Sequence, residues 1–320
     1  PREQATYIGD ALRVGRWIYM LTGDARHWRH VLLETFAGQR KDGMIRDAIF
    51  SGVRRSLVDY MLLAVIGALD YYRQTGDRET TIRVLPHCRM VIAWFRRHCR
   101  RDGGFALSWE DMIKEVKHVE RWEDWDRDDD WGLNLFIDHP GLGWHNRQER
   151  GIDRRGVNTA VNALWIVTLR AQASLESAVG LSNRAGMLRE DADRLAERAN
   201  RIFWDATRGM FADGITDEDV TDRFSEQSNT WCVMAGLCEP TEQAKLLRRL
   251  IESNSDSIVR SGPQFWAYLL PLMNRLGLHA SAIQHIKRLW GPMVEAGTAL
   301  WETFTGDEQD SLCHPWSAAP

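Results

Sequence analysis

No stretch of about 18 apolar residues runs through this 320-residue chain, so a membrane-spanning helix is not expected. Five cysteines (Cys88, Cys99, Cys232, Cys238 and Cys313) form no CxxC pair and are odd in number. Isolated reduced thiols are the simplest reading, which favours a cytoplasmic setting over a disulfide framework. Neither sign of charge dominates. A net charge of −4 leaves no footprint for nucleic acid or an anionic membrane surface. Lysine is sparse beside arginine, a bias of composition and not of chemistry. The start, Pro1-Arg2-Glu3-Gln4, has none of the character of a signal peptide and no Met, so the chain is expected to be cut from something longer. P-loop, GxGxxG, HExxH and GxSxG patterns are all missing. Nucleotide, dinucleotide and zinc-protease chemistry therefore have no foothold, and neither a cofactor nor a metal is expected.

What is present is tryptophan and helical periodicity. Fifteen Trp residues is a high count; many are expected in the core, and an indole is also a platform for a sugar ring. Leu57, Tyr60, Met61, Ala64, Val65 and Ala68 fall on one helical face. Similar stripes predict helices near 9–21, 25–37, 54–74, 78–100, 157–179, 184–203, 226–237, 241–254, 264–276, 279–295 and 309–318. Gly- and Asp-containing breaks such as Thr22-Gly23-Asp24 and Thr75-Gly76-Asp77 separate them. Consecutive helical hairpins can stack as a solenoid or close into a ring. No residue-level repeat near 34 positions is visible, which disfavours the solenoid. The expected fold is all-α, an (α/α)6 toroid over 1–320 whose loops converge on a central cavity. The segment 105–155 breaks the rhythm and reads as a long functional loop.

Several constellations are candidates for chemistry. Glu3 and Asp10 lie around the first helix start, and Glu302 follows Trp301 near the other end of the chain. His314 sits between Cys313 and Pro315, a position unlike that of a core histidine. The acid-rich run Glu120–Trp131 fails as an EF-hand, because Asp129 falls where Gly is needed and Leu135 where the bidentate Glu belongs. It reads either as a solvated loop or as Trp faces, Trp131 and beyond it Trp144, set among acceptors for sugar hydroxyls. Leu135-Phe136-Ile137-Asp138 is an apolar run ending in an acid, placed where the chain is expected to re-enter helix.

Taken in order, these segments carry a resemblance. They are Pro1-Arg2-Glu3-Gln4 with Tyr7-Ile8-Gly9-Asp10, Val58-Asp59-Tyr60, Asp70-Tyr71-Tyr72, Phe136-Ile137-Asp138, Asn158–Leu164, Trp301-Glu302 and Ser311–Ala318. The sequence resembles the catalytic domain of bacterial α-L-rhamnosidases, glycoside hydrolase family 78, over almost its whole length. The resemblance implies an (α/α)6 barrel and an inverting glycosidase, with accessory β-domains in the parent chain. It makes Glu3 the general acid and Glu302 the general base. Arg2, Tyr7, Asp10, Asp138, Trp301 and His314 become contacts for the sugar, with Tyr7 where the family often has Trp and His139 in place of another Trp.

Such chemistry needs one protonated and one ionised carboxyl, about 6.5–9.5 Å apart in an inverter so that a water fits between them and the sugar. Glu3 and Glu302 come from opposite ends of the chain, and a closed ring gives those ends a reason to meet. The alternatives are another (α/α)6 enzyme, trehalase-like, glucoamylase-like or a lyase with a Tyr, His or Lys base, or a sugar-binding helical domain without catalysis.

Overall fold

The computed structural model describes residues 6–49, 56–99, 111, 133–138, 152–154, 156–216, 220–253, 257–297, 299–306 and 311–319. Among the described residues ten α-helices form five consecutive hairpins. They are α1 (Ile8–Thr22) with α2 (Arg26–Ala37), α3 (Val58–Thr75) with α4 (Arg78–His98) and α5 (Thr159–Ala178) with α6 (Ser182–Phe203). Then come α7 (Glu226–Met234) with α8 (Pro240–Glu252), and α9 (Trp266–Arg275) with α10 (His279–Glu295). A 3-10 turn at Pro315–Ser317 follows.

Composition sorts these helices into two layers. Buried residues line α3, α5 and α7 on almost every side, as expected of helices surrounded by others. α2, α6 and α8 bury one stripe each. The inner helices touch in chain order, α1 to α3, α3 to α5, α5 to α7 and α7 to α9. The ring closes where Arg13 of α1 donates to the Tyr268 hydroxyl of α9, at 2.6 Å. The 3-10 turn also packs on α1, and the Trp290 indole of α10 donates to Ser317 O at 2.8 Å. The fold is an all-α toroid.

Because each outer helix returns the chain, the inner helices all point the same way and their N-termini share one end. Two-residue strands mark that end. β1 (Thr6–Tyr7), β3 (Ser56–Leu57), β5 (Val157–Asn158) and β7 (Phe224–Ser225) immediately precede α1, α3, α5 and α7. Each pairs with a strand from the next outer-to-inner connection: β2 (Ala48–Ile49), β4 (Leu133–Asn134), β6 (Gly214–Ile215) and β8 (Ile258–Val259). A repeat therefore exists in hydrogen bonding, though not in residue identity.

The predicted breaks act as read. Gly23 and Gly76 take left-handed φ values of 73° and 67° and stop α1 and α3. Asp77 caps α4 by accepting from Thr80 N at 2.9 Å. Two expectations are corrected. The helix expected from 54 starts at Val58, because Ser56 and Leu57 pair with Leu133 and Asn134. Of the helix expected over 309–318, the described part, 311–318, is a loop with only the 3-10 turn, because the Ser311 and His314 backbone groups bond to residues 300–302. Asp138 itself is not helical, and the residues that follow it, 139–151, lie outside the described residues; the next described helix starts at Thr159.

One buried ion pair ties the two layers. Arg89 of α4 donates from Nε and Nη2 to the two Glu176 oxygens, both at 2.7 Å, and Gln172 adds a third bond at 2.9 Å. Burial pushes the Glu176 carboxyl up, and Arg89 and Gln172 outweigh it, so the net direction is down. A carboxyl depressed by folding adds stability above its unfolded value, near pH 4.3, and loses it as pH falls through the folded value. Arg89→Met is expected to cost about 2 kcal/mol in urea unfolding at pH 7, below the range for fully buried pairs because the arginine is about a third exposed. The gap to wild type should close as the pH is lowered below about 4.

Candidate active site

The two chain ends meet at the inner-helix N-termini. Asp10 is the third residue of α1, and its carboxylate Oδ1 lies 3.8 Å from His314 Nδ1, ion-pair range but longer than a hydrogen bond. His314 is 4% exposed, and its ring stacks on Trp316 with centroids 4.0 Å apart. The stack is fixed from behind, since His314 N donates to Leu300 O at 2.8 Å and the Trp316 indole donates to Glu302 O at 2.9 Å.

Glu302 is 6% exposed and held on three sides. Its N–H donates to Ser311 O at 2.8 Å, and its carboxylate Oε2 accepts from Ser311 N, also at 2.8 Å. The Ser317 hydroxyl donates to Trp301 O. Residues 300–302 and 311–317 are thus stitched into one unit, and that competition prevents the tail from coiling into a helix. Trp301 is half-buried, and its indole lies against Gly306, where a Cβ would stand only 2.6 Å from Trp301 Cε3. Tyr7 is half-buried on β1, opposite Ala48.

Asp138 has a different setting. It is fully buried, and its Oδ2 accepts from Gly262 N at 2.7 Å and from Gln227 Nε2 at 2.8 Å. The residues before it form a tight turn. Asp138 N donates to Phe136 O at 2.7 Å across Ile137, whose φ is 60°. This is the strained, positive-φ kind of γ-turn. A β-branched residue in that region costs about 1–3 kcal/mol, which surrounding contacts must offset. Asp59 supplies them, accepting from Phe136 N at 2.9 Å and Ile137 N at 3.0 Å. Burial pushes the Asp59 carboxyl up, against these two amides and the nearby Arg154. Arg154 also donates to Phe136 O at 2.8 Å and Asp138 O at 3.1 Å.

Of the sequence candidates, Asp10, His314, Glu302 and Trp301 gather where the ends meet. Asp138 anchors a neighbouring loop, and Arg2, Glu3, Trp131 and Trp144 lie outside the described residues. Sequence reasoning gave no role to Asp59, Arg154, Gln227 or Trp316. Nor did it find two further buried acids. Glu226 accepts from Arg260 at 2.9 Å and from Ser261 N and Oγ at 2.8 and 2.7 Å. Asp213 is pushed up to about 6, chiefly by burial, while it accepts from the Ser225 hydroxyl and Asp153 N. The donors that fill these two carboxylates give them a structural role. Among the described residues no group of three His, Cys, Asp or Glu side chains is placed to hold a metal, and no helix is long and apolar enough to cross a membrane.

The all-α toroid is a fold shared with six-hairpin glycosidase-type enzymes. Residues 18–268 match the family described as the mannosylglycerate hydrolase MGH1-like glycoside hydrolase domain, and the chain belongs to that family. No curated protein matches it in sequence. Among solved structures it is similar to a rhamnosidase from Klebsiella oxytoca with rhamnose bound, at 23% identity and TM-score 0.75, over 99% of this chain and 57% of that one. A family GH78 rhamnosidase of Bacillus sp. GL1 is 21% identical with TM-score 0.78, over 99% of this chain and 31% of that one. A GH63 mannosylglycerate hydrolase from Thermus thermophilus, in complex with glucose, is 14% identical with TM-score 0.63, over 99% of this chain and 91% of that one. The chain therefore spans little more than half of the first rhamnosidase and less than a third of the second.

Proposed function

We propose that this chain is the catalytic domain of an inverting glycosidase acting on terminal α-L-rhamnosides, with Glu302 as general base and Glu3 as general acid. The observation that carries the reading is Glu302 itself. It is a nearly buried carboxylate fixed by Ser311, in the same short segment as the histidine that faces Asp10 from the other end of the chain. A general base needs that restraint, because its oxygen must stand within hydrogen-bond reach of one water.

In the proposed step Glu302 takes a proton from water as the water oxygen bonds to the anomeric carbon. The bond from that carbon to the glycosidic oxygen breaks, and Glu3 delivers its proton to the departing oxygen. The product sugar has the opposite anomeric configuration. Asp10 and His314 present an acceptor and a ring nitrogen for sugar hydroxyls, Trp301 offers an apolar face, and Tyr7 borders the same end. No cofactor takes part. Arg2, Trp131 and Trp144 complete the proposed sugar contacts, and accessory β-domains of the parent chain would flank this one.

The family assignment favours a second reading, in which the sugar is an α-D-mannoside such as mannosylglycerate. One experiment separates the two. Aryl α-L-rhamnoside and α-D-mannoside, together with mannosylglycerate, are supplied in parallel, and the first-formed anomer is followed by proton NMR. Release of β-L-rhamnose from the rhamnoside is the expected result. α-L-Rhamnose as the first product would sink the two-carboxylate inverting scheme, and turnover of the mannosides alone would move the assignment to the second reading.

A further inference from the structure

Asp59 is remote from Glu302 in sequence and buried away from solvent, yet it governs the turn that stands behind the site. It is the second residue of α3, so its position is set by the first turn of an inner helix. Its two oxygens take the N–H groups of two successive residues, Phe136 and Ile137, 77 and 78 positions along the chain. Leu133 and Asn134, just before, pair with Ser56 and Leu57 at the start of the same helix. The run 133–138 is thus docked on one helix end by a ladder and then by a carboxylate clamp. Of the described residues other than glycine, Ile137 alone has positive φ.

The turn fixes where the Phe136 ring goes. That ring meets Tyr60, the neighbour of Asp59, edge-on at 5.7 Å, and lies 6.1 Å from Trp316. Trp316 in turn stacks on His314 and donates to Glu302 O. The chain of contact from Asp59 to the candidate site is therefore short and made of rigid parts.

We propose that Asp59 is a positioning residue: by clamping both amides it holds Ile137 in the left-handed turn and so sets the Phe136 ring that backs the Trp316–His314 stack. The importance of that stack for turnover rests on the glycosidase reading, but its geometry does not. Asp59→Asn leaves one acceptor oxygen and turns an NH2 toward the other amide, a donor facing a donor. The turn then loses its amide clamp and keeps only the bonds from Arg154 and those that anchor Asp138, and the ring behind Trp316 is free to shift.

The test is NMR of the full chain carrying 13Cε1-labelled histidine, with the His314 signal assigned by its loss in His314→Gln. Stacking on Trp316 shifts that signal through the indole ring current. In Asp59→Asn it is expected to move toward the unstacked position, and kcat on the aryl rhamnoside to fall about 10-fold or more, the scale of displacing reacting groups by a fraction of an ångström. Adding Ile137→Gly should bring the signal and most of the activity back, because glycine adopts positive φ without strain. Phe136→Leu leaves the clamp intact and should move the signal as Asp59→Asn does; it decides the matter if Asp59→Asn does not fold. An unmoved His314 signal in a folded Asp59→Asn protein, or in Phe136→Leu, would overturn the proposal. So would a signal that shifts in Asp59→Asn and is not restored by Ile137→Gly. If wild type hydrolyses no glycoside, the NMR result still stands, and it is the glycosidase reading that fails.

Discussion

Glu302→Gln is expected to lower kcat on an aryl α-L-rhamnoside by about 10²–10⁴-fold, the usual contribution of a general base. The fold should survive, because the amide keeps an oxygen for the bond from Ser311 N, and the backbone bonds to Ser311 and from Trp316 do not involve the side chain. KM should change little if the carboxylate touches water and not the sugar. Azide offers a sharper check. It attacks the anomeric carbon with no proton to give up, so it bypasses a missing base, and the glycosyl azide formed should carry inverted configuration. Near-wild-type hydrolysis by the variant would place the base elsewhere. Loss of activity without azide rescue, in a folded protein, would leave Glu302 a structural acid like Glu226, whose oxygens are filled by Arg260 and Ser261.

That contrast marks how far sequence alone could reach. Thr75-Gly76-Asp77 is a local signal: glycine ends one helix and aspartate starts the next, and both act at short range. Such signals, with the helical stripes, are enough for the hairpins and hence for the toroid. Glu302 and His314 were legible as candidates through their neighbours Trp301 and Pro315 taken together with Glu3 and Asp10 at the other end of the chain, in the order that carries the family resemblance. Asp59 was not. It reads as an ordinary first-turn acid, and its partners are 77 and 78 residues away. Ile137 gives no hint of positive φ, since β-branched residues avoid it. The tail misled for a related reason. Local periodicity favoured helix over 309–318, while bonds from His314, Trp316 and Ser317 to residues 300–302 won.

The hidden repeat explains why these long-range contacts cluster at one end. Each lead-in strand pairs with the connection that follows, so every outer-to-inner loop is pulled across the neighbouring inner helix. Polar groups at those N-termini are buried by the crossing loops and must find partners there. Asp59 finds Phe136 and Ile137, Glu226 finds Ser261, and in a crossing loop itself Asp213 finds Ser225 and Asp153. A site at this end is surrounded by hydrogen-bonded loops anchored on rigid helices, the support that catalytic geometry requires.

Gly9→Ala tests how tightly that support is built. A Cβ on Gly9 would stand 2.4 Å from Tyr60 Cζ and 2.7 and 2.8 Å from the two adjacent ring carbons. The ring has little room to yield, for Tyr60 is buried, accepts from Gln264 Nε2 at 3.0 Å and meets Phe136 edge-on. Two effects compete. Alanine favours helix over glycine by up to about 1 kcal/mol, less in the first turn than in the interior. Overpacking a rigid site costs about 1–3 kcal/mol, occasionally more. The clash should win, with a net loss of about 2 kcal/mol and a Tm lower by several degrees. Activity should fall further than stability, because Asp10 is the next residue. Moving the start of α1 by an ångström carries its carboxylate away from His314, a displacement that can cost about 10²-fold in rate. Adding Tyr60→Leu removes the obstructing ring. In a double-mutant cycle it should restore most of the Tm lost by Gly9→Ala but little of the activity, since the ring that contacts Phe136 is gone as well. Calorimetry and steady-state kinetics on the four proteins measure both. If Gly9→Ala matched wild type in Tm and kcat, the close approach of α1 to α3 would not be what holds Asp10 in place.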